Sequence, residues 1–301
     1  MTQLKAVAET RPDGLASRKS YPLIGMADVL SVTLAERRAV IGEVRSRVLG
    51  KPVGIGKVLT PPSGSAKFLK STLPEYAIYL SPARMSGTNV CRWSTKQCRA
   101  LCLHGSGRGA QHSVQLGRLW RTRLLLDHPE VFWAQVWAEL RSAERRHGKG
   151  KFWFRPNGTS DLPFHEMVPW LFEHGPQAYA ADYTKNGSKA GQYKNLRYYV
   201  AFSASERDSW HDIRRMATVL PTGVSVAVRR LPKDFERQVH DGITYVNADL
   251  SDEWLRASVD SGPIIGLLSF KTSKGNTING VKVGEHEFVK PLPDYIGGSN
   301  G

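Results

Sequence analysis

Seven short apolar runs recur between Tyr76 and Phe270, and they constrain the fold more than any other feature of the chain. They are YAIYLS (76–81), FWFR (152–155), AYAAD (178–182), YYVAFS (198–203), VSVAVR (224–229), ITYVN (243–247) and IIGLLSF (264–270). Each is apolar throughout instead of alternating, which is how strands buried on both faces read. Amphipathic segments separate many of them: HSVQLGRLWRTRLLL, PEVFWAQVWAELRSAERR, HEMVPWLFEHG, SERDSWHDIRRMATVL and DEWLRASVD. Strand–helix alternation predicts an α/β fold with a parallel sheet. Seven strands over about 200 residues fit a TIM-barrel-like parallel barrel, complete or slightly incomplete, with a doubly wound open sheet as the other architecture of this pattern.

Residues 1–70 read as an N-terminal extension, with helical spacing in MADVLSVTLAERRAVIGEVRSRVL followed by the Gly- and Pro-punctuated GKPVGIGKVLTPPSGSAKF. Residues 71–290 then form the barrel-like catalytic domain, which carries a Cys-containing basic loop at 89–111, and 291–301 form a C-terminal tail. Hydrophobic content of 41% and charged content of 23% are those of a soluble globular chain. No run approaches the roughly 20 apolar residues of a membrane span, and the polar N-terminus lacks the apolar core of a secretory signal. The expectation is a cytoplasmic protein without a membrane partner.

The formal net charge of +15 directs attention to polyanions. Between Cys91 and Arg155 there are thirteen Lys or Arg against four Asp or Glu. Trp93, Trp120, Trp133, Trp137 and Trp153 are interleaved with that charge, as in surfaces that hold single strands or extruded bases, although the spacing of Trp133 and Trp137 also suits a helix packed in a core. Arg92, Arg99, Arg108, Arg118 and Arg121 are the candidate nucleic-acid contacts, and DNA is the expected partner. HGSGRGAQ (104–111) leads into a helix and offers backbone amides to phosphate, but it matches neither a P-loop nor a dinucleotide fingerprint.

All three cysteines, Cys91, Cys98 and Cys102, fall in that same basic stretch. An odd thiol count in a cytoplasmic chain argues against structural disulfides. C-x6-C-x3-C beside Arg and Lys suits zinc, with His104 or His112 as a fourth ligand, or an iron–sulfur cluster with one open iron; three buried thiols are the plain alternative. Radical S-adenosylmethionine enzymes place three cysteines after a first barrel strand, but with the spacing C-x3-C-x2-C.

Active sites of parallel α/β folds lie at the carboxyl ends of the strands, so the residues just past each run are the candidates. RPNGTSD (155–161) gathers Arg155, Asn157, Ser160 and Asp161; DYTK (182–185) supplies Asp182 and Lys185; Ser203 ends the fourth run; NADLSD (247–252) supplies Asp249, with Asp252 placed to cap the next helix; Lys271 follows the last. Asp161, Asp182 and Asp249 are the catalytic candidates, because two or three carboxylates at neighbouring strand ends suit glycosidic or base-exchange chemistry. Arg155, Asn157, Ser160, Lys185 and Ser203 are the candidate substrate contacts.

The ordered series SG.NVC......C...CL...GRGA, NGTSD, YTK, FSASE and G...GL, spanning roughly residues 76 to 285, resembles the gene product eighty-eight family of mycobacteriophage and plasmid proteins. That family is similar to a phage branch of the DpdA-type DNA transglycosylases, relatives of tRNA-guanine transglycosylase that replace guanine in DNA by a 7-deazaguanine base and so evade restriction. The resemblance implies a barrel, an Asp nucleophile, an Asp acid/base and a cysteine-bound metal. Two departures stand out: the cysteines come early in the chain, and the segment D-S-G-G-F-Q is absent. The assignment of the carboxylates to their roles therefore stays open.

Overall fold

The computed structural model describes residues 23–64, 68–105, 107–191, 197–270, 277–278, 281–282 and 287–296. Lys271, residues 1–22 of the N-terminal extension and residues 297–301 of the tail lie outside the described residues. Helices α1 (Met26–Ser31) and α2 (Leu34–Leu49) precede β1 (Leu59–Thr60) and β2 (Glu75–Ile78); α3 (Lys96–Ala100), α4 (His112–Asp127) and α5 (Pro129–His147) lead to β3 (Trp153–Arg155). There follow α6 (Phe164–Met167), α7 (Pro169–Glu173), β4 (Tyr179–Thr184), β5 (Tyr198–Ser203), α8 (Trp210–Val219) and β6 (Val224–Val228). The chain continues through β7 (Arg237–His240), β8 (Ile243–Asn247), α9 (Trp254–Ser261) and β9 (Ile264–Ser269), with a small ribbon of β10 (Thr277–Ile278) and β11 (Val281–Lys282).

All seven apolar runs are strands, and they pair in parallel in the order β2–β3–β4–β5–β6–β9–β8. The sheet is open. β1 lies antiparallel on β2 and β7 lies antiparallel on β8, so an antiparallel strand occupies each edge that a closed barrel would have to join. The β7–β8 hairpin turns through Asp241 and Gly242, both at positive φ, the pairing a tight two-residue turn requires.

Alternation along the strands divides the core between the two faces of the sheet. On one face Tyr76, Ile78, Phe154, Ala180 and Val200 pack with Trp120 and Leu124 of α4 and Phe132, Trp133 and Val136 of α5. Farther along, Ile213 and Met216 of α8 pack with Val224, Val226 and Leu267. On the other face Trp254 and Leu255 of α9 pack with Trp153, Ala181, Tyr199 and Ala201. Ile41 and Val44 of α2, with Val58 and Leu59, belong to the first of these clusters, so the described part of the 1–70 segment is built into the core. Trp120, Trp133 and Trp153 are buried, whereas Trp93 is 37% exposed, so of these only Trp93 can meet a polyanion. No helix among the described residues is long and apolar enough to cross a membrane.

The Trp254 ring packs against β9, where a Cβ on Gly266 would come within 2.5 Å of it. Gly266→Ala should therefore destabilise the fold by about 1–3 kcal/mol through overpacking, read as a lowered urea midpoint at unchanged slope. An unchanged midpoint would show that α9 can yield.

Candidate functional site

The loop after β3 is fixed at almost every residue. Gly158 N–H donates to Ile78 O at 2.9 Å, Thr159 Oγ1 donates to Leu80 O at 2.5 Å, and Asp161 N–H donates to Val90 O at 2.8 Å. A side chain at position 158 would meet Ile78 O and the Tyr79 ring at 2.7 Å, so only glycine permits this approach to β2. Asn157 closes the loop on itself. Its Nδ2 donates to Leu162 O at 3.0 Å and to Asp182 Oδ2 at 2.7 Å, while its Oδ1 accepts from Leu162 N–H at 3.0 Å and Ser160 Oγ at 2.7 Å. Both donors and both acceptor sites of the amide are used. Asn157 and Ser160, expected to contact substrate, are thus engaged with the protein itself.

Asp182 projects from the middle of β4 and is 1% exposed. Its Oδ2 also accepts from Tyr198 Oη at 2.8 Å, and its Oδ1 accepts from Tyr183 N–H at 3.1 Å. Burial nevertheless raises its pKa to about 7, against the pull of Tyr198, Asn157 and Arg155. Asp161 accepts from Lys185 N–H at 3.2 Å. Its pKa also rises through burial, to about 6, with the Lys185 amide and the Thr184 hydroxyl working in the opposite direction. The two carboxyls line one cleft of about 130 Å³, together with Asn157, Tyr198, His165, Glu166, Lys189 and, at Arg92 and Trp93, the exposed basic loop.

On the cleft wall Glu166 accepts from Lys189 and lies 3.1 Å from His165 Nε2. Burial lowers the His165 pKa to about 4, so that ring is neutral near pH 7. Sequence reading missed Tyr198, His165, Glu166 and Lys189. Tyr198 opens an apolar strand and resembles any core aromatic; the other three lie in segments whose helical or loop character gave them no strand-end position.

The other expected residues lie elsewhere. Asp249 follows β8 and accepts from Ser269 N–H at 3.0 Å; it tethers β8 to β9 and does not line the cleft. Arg155 points to the opposite face of the sheet, where it pairs with Asp252 and with Glu75 at 3.4 Å and lies over the Tyr183 ring. Asp252 is held by this pair and by Tyr183 Oη instead of acting as a simple helix cap. Lys185 Nζ donates to Ser203 O, Ser203 Oγ and Ala204 O, so three acceptors take up its three protons and these two expected substrate contacts bind each other. Among the arginines, Arg92, Arg99 and Arg108 are exposed. Arg118 is buried against His104 and the Tyr79 ring, and Arg121 is spent on Lys57 O, Gly117 O and the Trp120 ring, with burial lowering its pKa to about 10.

The cysteine loop runs beside Asp161, with Cys91 and Asp161 paired in an isolated parallel bridge. Cys91 Sγ accepts from Ala83 N–H at 3.2 Å and lies 3.4 Å from Thr159 O. Burial pushes its thiol up to about 12 and also raises those of Cys98 and Cys102, so all three are protonated near neutrality. Among the described residues no three of His, Cys, Asp and Glu stand close enough together to hold a metal ion. His104 offers no ligand nitrogen in this arrangement. Arg118 can only donate, so Nδ1, 2.9 Å from Arg118 Nη1, accepts, and the ring proton sits on Nε2. His112, the other candidate, is exposed at the start of α4.

A family model described as Gene product 88 matches residues 57–252, well over half of the chain. The chain belongs to the Gene product 88 family. The Gene product 88 match runs from the residues just before β1 to the start of α9, and so takes in the cleft, the cysteine loop and Lys185. No curated protein and no solved structure matches the chain.

Proposed function

We propose that this Gene product 88 protein exchanges a base in DNA, releasing guanine and installing a 7-deazaguanine base, in the manner of the DpdA-type transglycosylases. One observation carries the reading: Asp161 and Asp182 line a single cleft, and burial holds both carboxyls at pKa values suited to acid–base work near neutrality. Asp161, with the lower value, is ionised first and attacks C1′ of the deoxyribose as the bond from C1′ to the guanine ring nitrogen breaks. Asp182 gives its proton to the leaving guanine. The incoming base returns a proton to Asp182, and its ring nitrogen displaces Asp161 from C1′, so both carboxyls end as they began.

The strand order β2 to β6 follows the chain order, which is the winding of a (β/α)8 barrel and supports kinship with barrel transglycosylases. As they stand, the three protonated thiols and His104 do not make a zinc site, so the exchange is written without a metal; zinc content of the purified protein tests this, one ion per chain being the refuting result.

DNA lies along the exposed loop that carries Arg92, Trp93, Arg99 and Arg108. Arg92→Ala and Arg108→Ala should each flatten the plot of log affinity against log salt by about 0.9, whereas Arg118→Ala leaves that slope alone and lowers stability. Equal slopes for all four proteins would remove this loop from the interface. The function itself is tested by nucleoside mass spectrometry of DNA incubated with the protein and a 7-deazaguanine base. Appearance of the 7-deaza nucleoside with an equal release of guanine is expected. Unaltered nucleosides in DNA that the protein demonstrably binds would overturn the proposal.

A further inference from the structure

Asn157 touches both halves of the cleft chemistry. Its Nδ2 ends on Asp182 Oδ2, and the rest of its amide closes the turn from Ser160 to Leu162 that carries Asp161. The amide cannot be turned over, because Nδ2 would then face the Leu162 N–H, donor against donor. Tyr198 bears on Asp182. Its hydroxyl reaches Asp182 Oδ2, and its ring stacks on Phe172 at 4.5 Å with the planes 6° apart, which fixes it from behind. Two donors therefore converge on Oδ2, while among the described residues Oδ1 receives the Tyr183 amide. Oδ2 is the oxygen that stays bare of a proton and Oδ1 the one that carries it.

We propose that Asn157 is a positioning residue that aims both carboxyls at once, fixing Asp182 through one oxygen and Asp161 through its turn, with Tyr198 bearing on Asp182. The inference rests on the base-exchange reading for its catalytic meaning, but the arrangement has a readout of its own. The carbon-13 carboxyl signals of Asp161 and Asp182 are followed against pH in the wild type, Tyr198→Phe and Asn157→Ala, alongside exchange activity.

Phenylalanine keeps the stack on Phe172 and removes one donor to the charged form. Tyr198→Phe should raise the Asp182 midpoint by about one to two pH units, leave Asp161 unmoved, and carry the alkaline limb of the activity profile up with it. Asn157→Ala should move both midpoints and lower kcat by about 10²-fold with KM little changed, as expected when reacting groups lose their aim. A folded Asn157→Ala protein in which Asp161 titrates as in the wild type overturns the coupling, as does a Tyr198→Phe protein in which Asp161 moves with Asp182. Carboxyl shifts as expected in a protein that exchanges no base would uphold the positioning and sink the base-exchange reading separately.

Discussion

Asp182→Asn should lower base exchange by about 10²- to 10⁴-fold while DNA binding persists, because the amide keeps the shape of the carboxyl and removes its proton. The wild-type pH profile sharpens this expectation. Asp161 must be ionised to attack, so activity rises as pH climbs through about 6; Asp182 must be protonated to release the base, so activity falls as pH passes about 7. The result is a narrow bell with Asp161 setting the acid limb and Asp182 the alkaline one. Asp161→Asn should abolish exchange and, with it, any covalent DNA–protein intermediate trapped by denaturation. Asp249→Asn, at the β8–β9 tether, should leave exchange within a few-fold of wild type. A flat profile between pH 5 and 8, or an active Asp182→Asn protein, would remove Asp182 from the chemistry.

Arg155→Ala should destabilise the protein by about 3–5 kcal/mol, the usual consequence of stripping the partner from a buried ion pair. Glu75 and Asp252 are both fully buried, and Arg155 is the positive charge that joins them. Burial works against its charge, yet Glu75, followed by other acidic neighbours, keeps the guanidinium firmly protonated. With alanine there, two buried carboxyls lose the counter-charge that joins them. Arg155→Lys should recover only part of the loss, since an ammonium cannot span both carboxyls as a planar guanidinium does. Urea unfolding measures the change; a loss below about 1 kcal/mol would show that α9 lifts away and lets water in.

The strands were legible because burial on both faces leaves short apolar runs, each ending in polar or charged residues. Openness of the sheet was not, because it depends on β7, a strand whose residues RQVH alternate between exposed and half-buried and contain little apolar signal. The Asp-Gly pair at 241–242 was the available clue to a hairpin there. In the site, Asp161 and Asp182 were found from their places at and near strand ends. Asn157, Ser160, Lys185 and Ser203 were expected to contact substrate and are instead bound to their own neighbours, since sequence records a donor and not its acceptor. The arginines divide for a similar reason. Arg118 and Arg121 lie on the sides of α4 that meet the body of the protein, a matter of helix rotation to which net charge is blind.

The position of β9 bears on the order in which the molecule can be made. β2 through β5 join in the order of synthesis, so each new strand finds its neighbour already present. β6 and β8 have no ladder to each other; β9 lies between them and pairs with both, placing Ile265 against Val224 on one side and Tyr245 on the other. Until residues 264–269 leave the ribosome, the hairpin of β7 and β8 has nothing to bind it to the growing sheet, and β6 displays an unpaired edge. The half of the sheet that carries the cleft can thus assemble during translation, while the distal half waits on a single late strand.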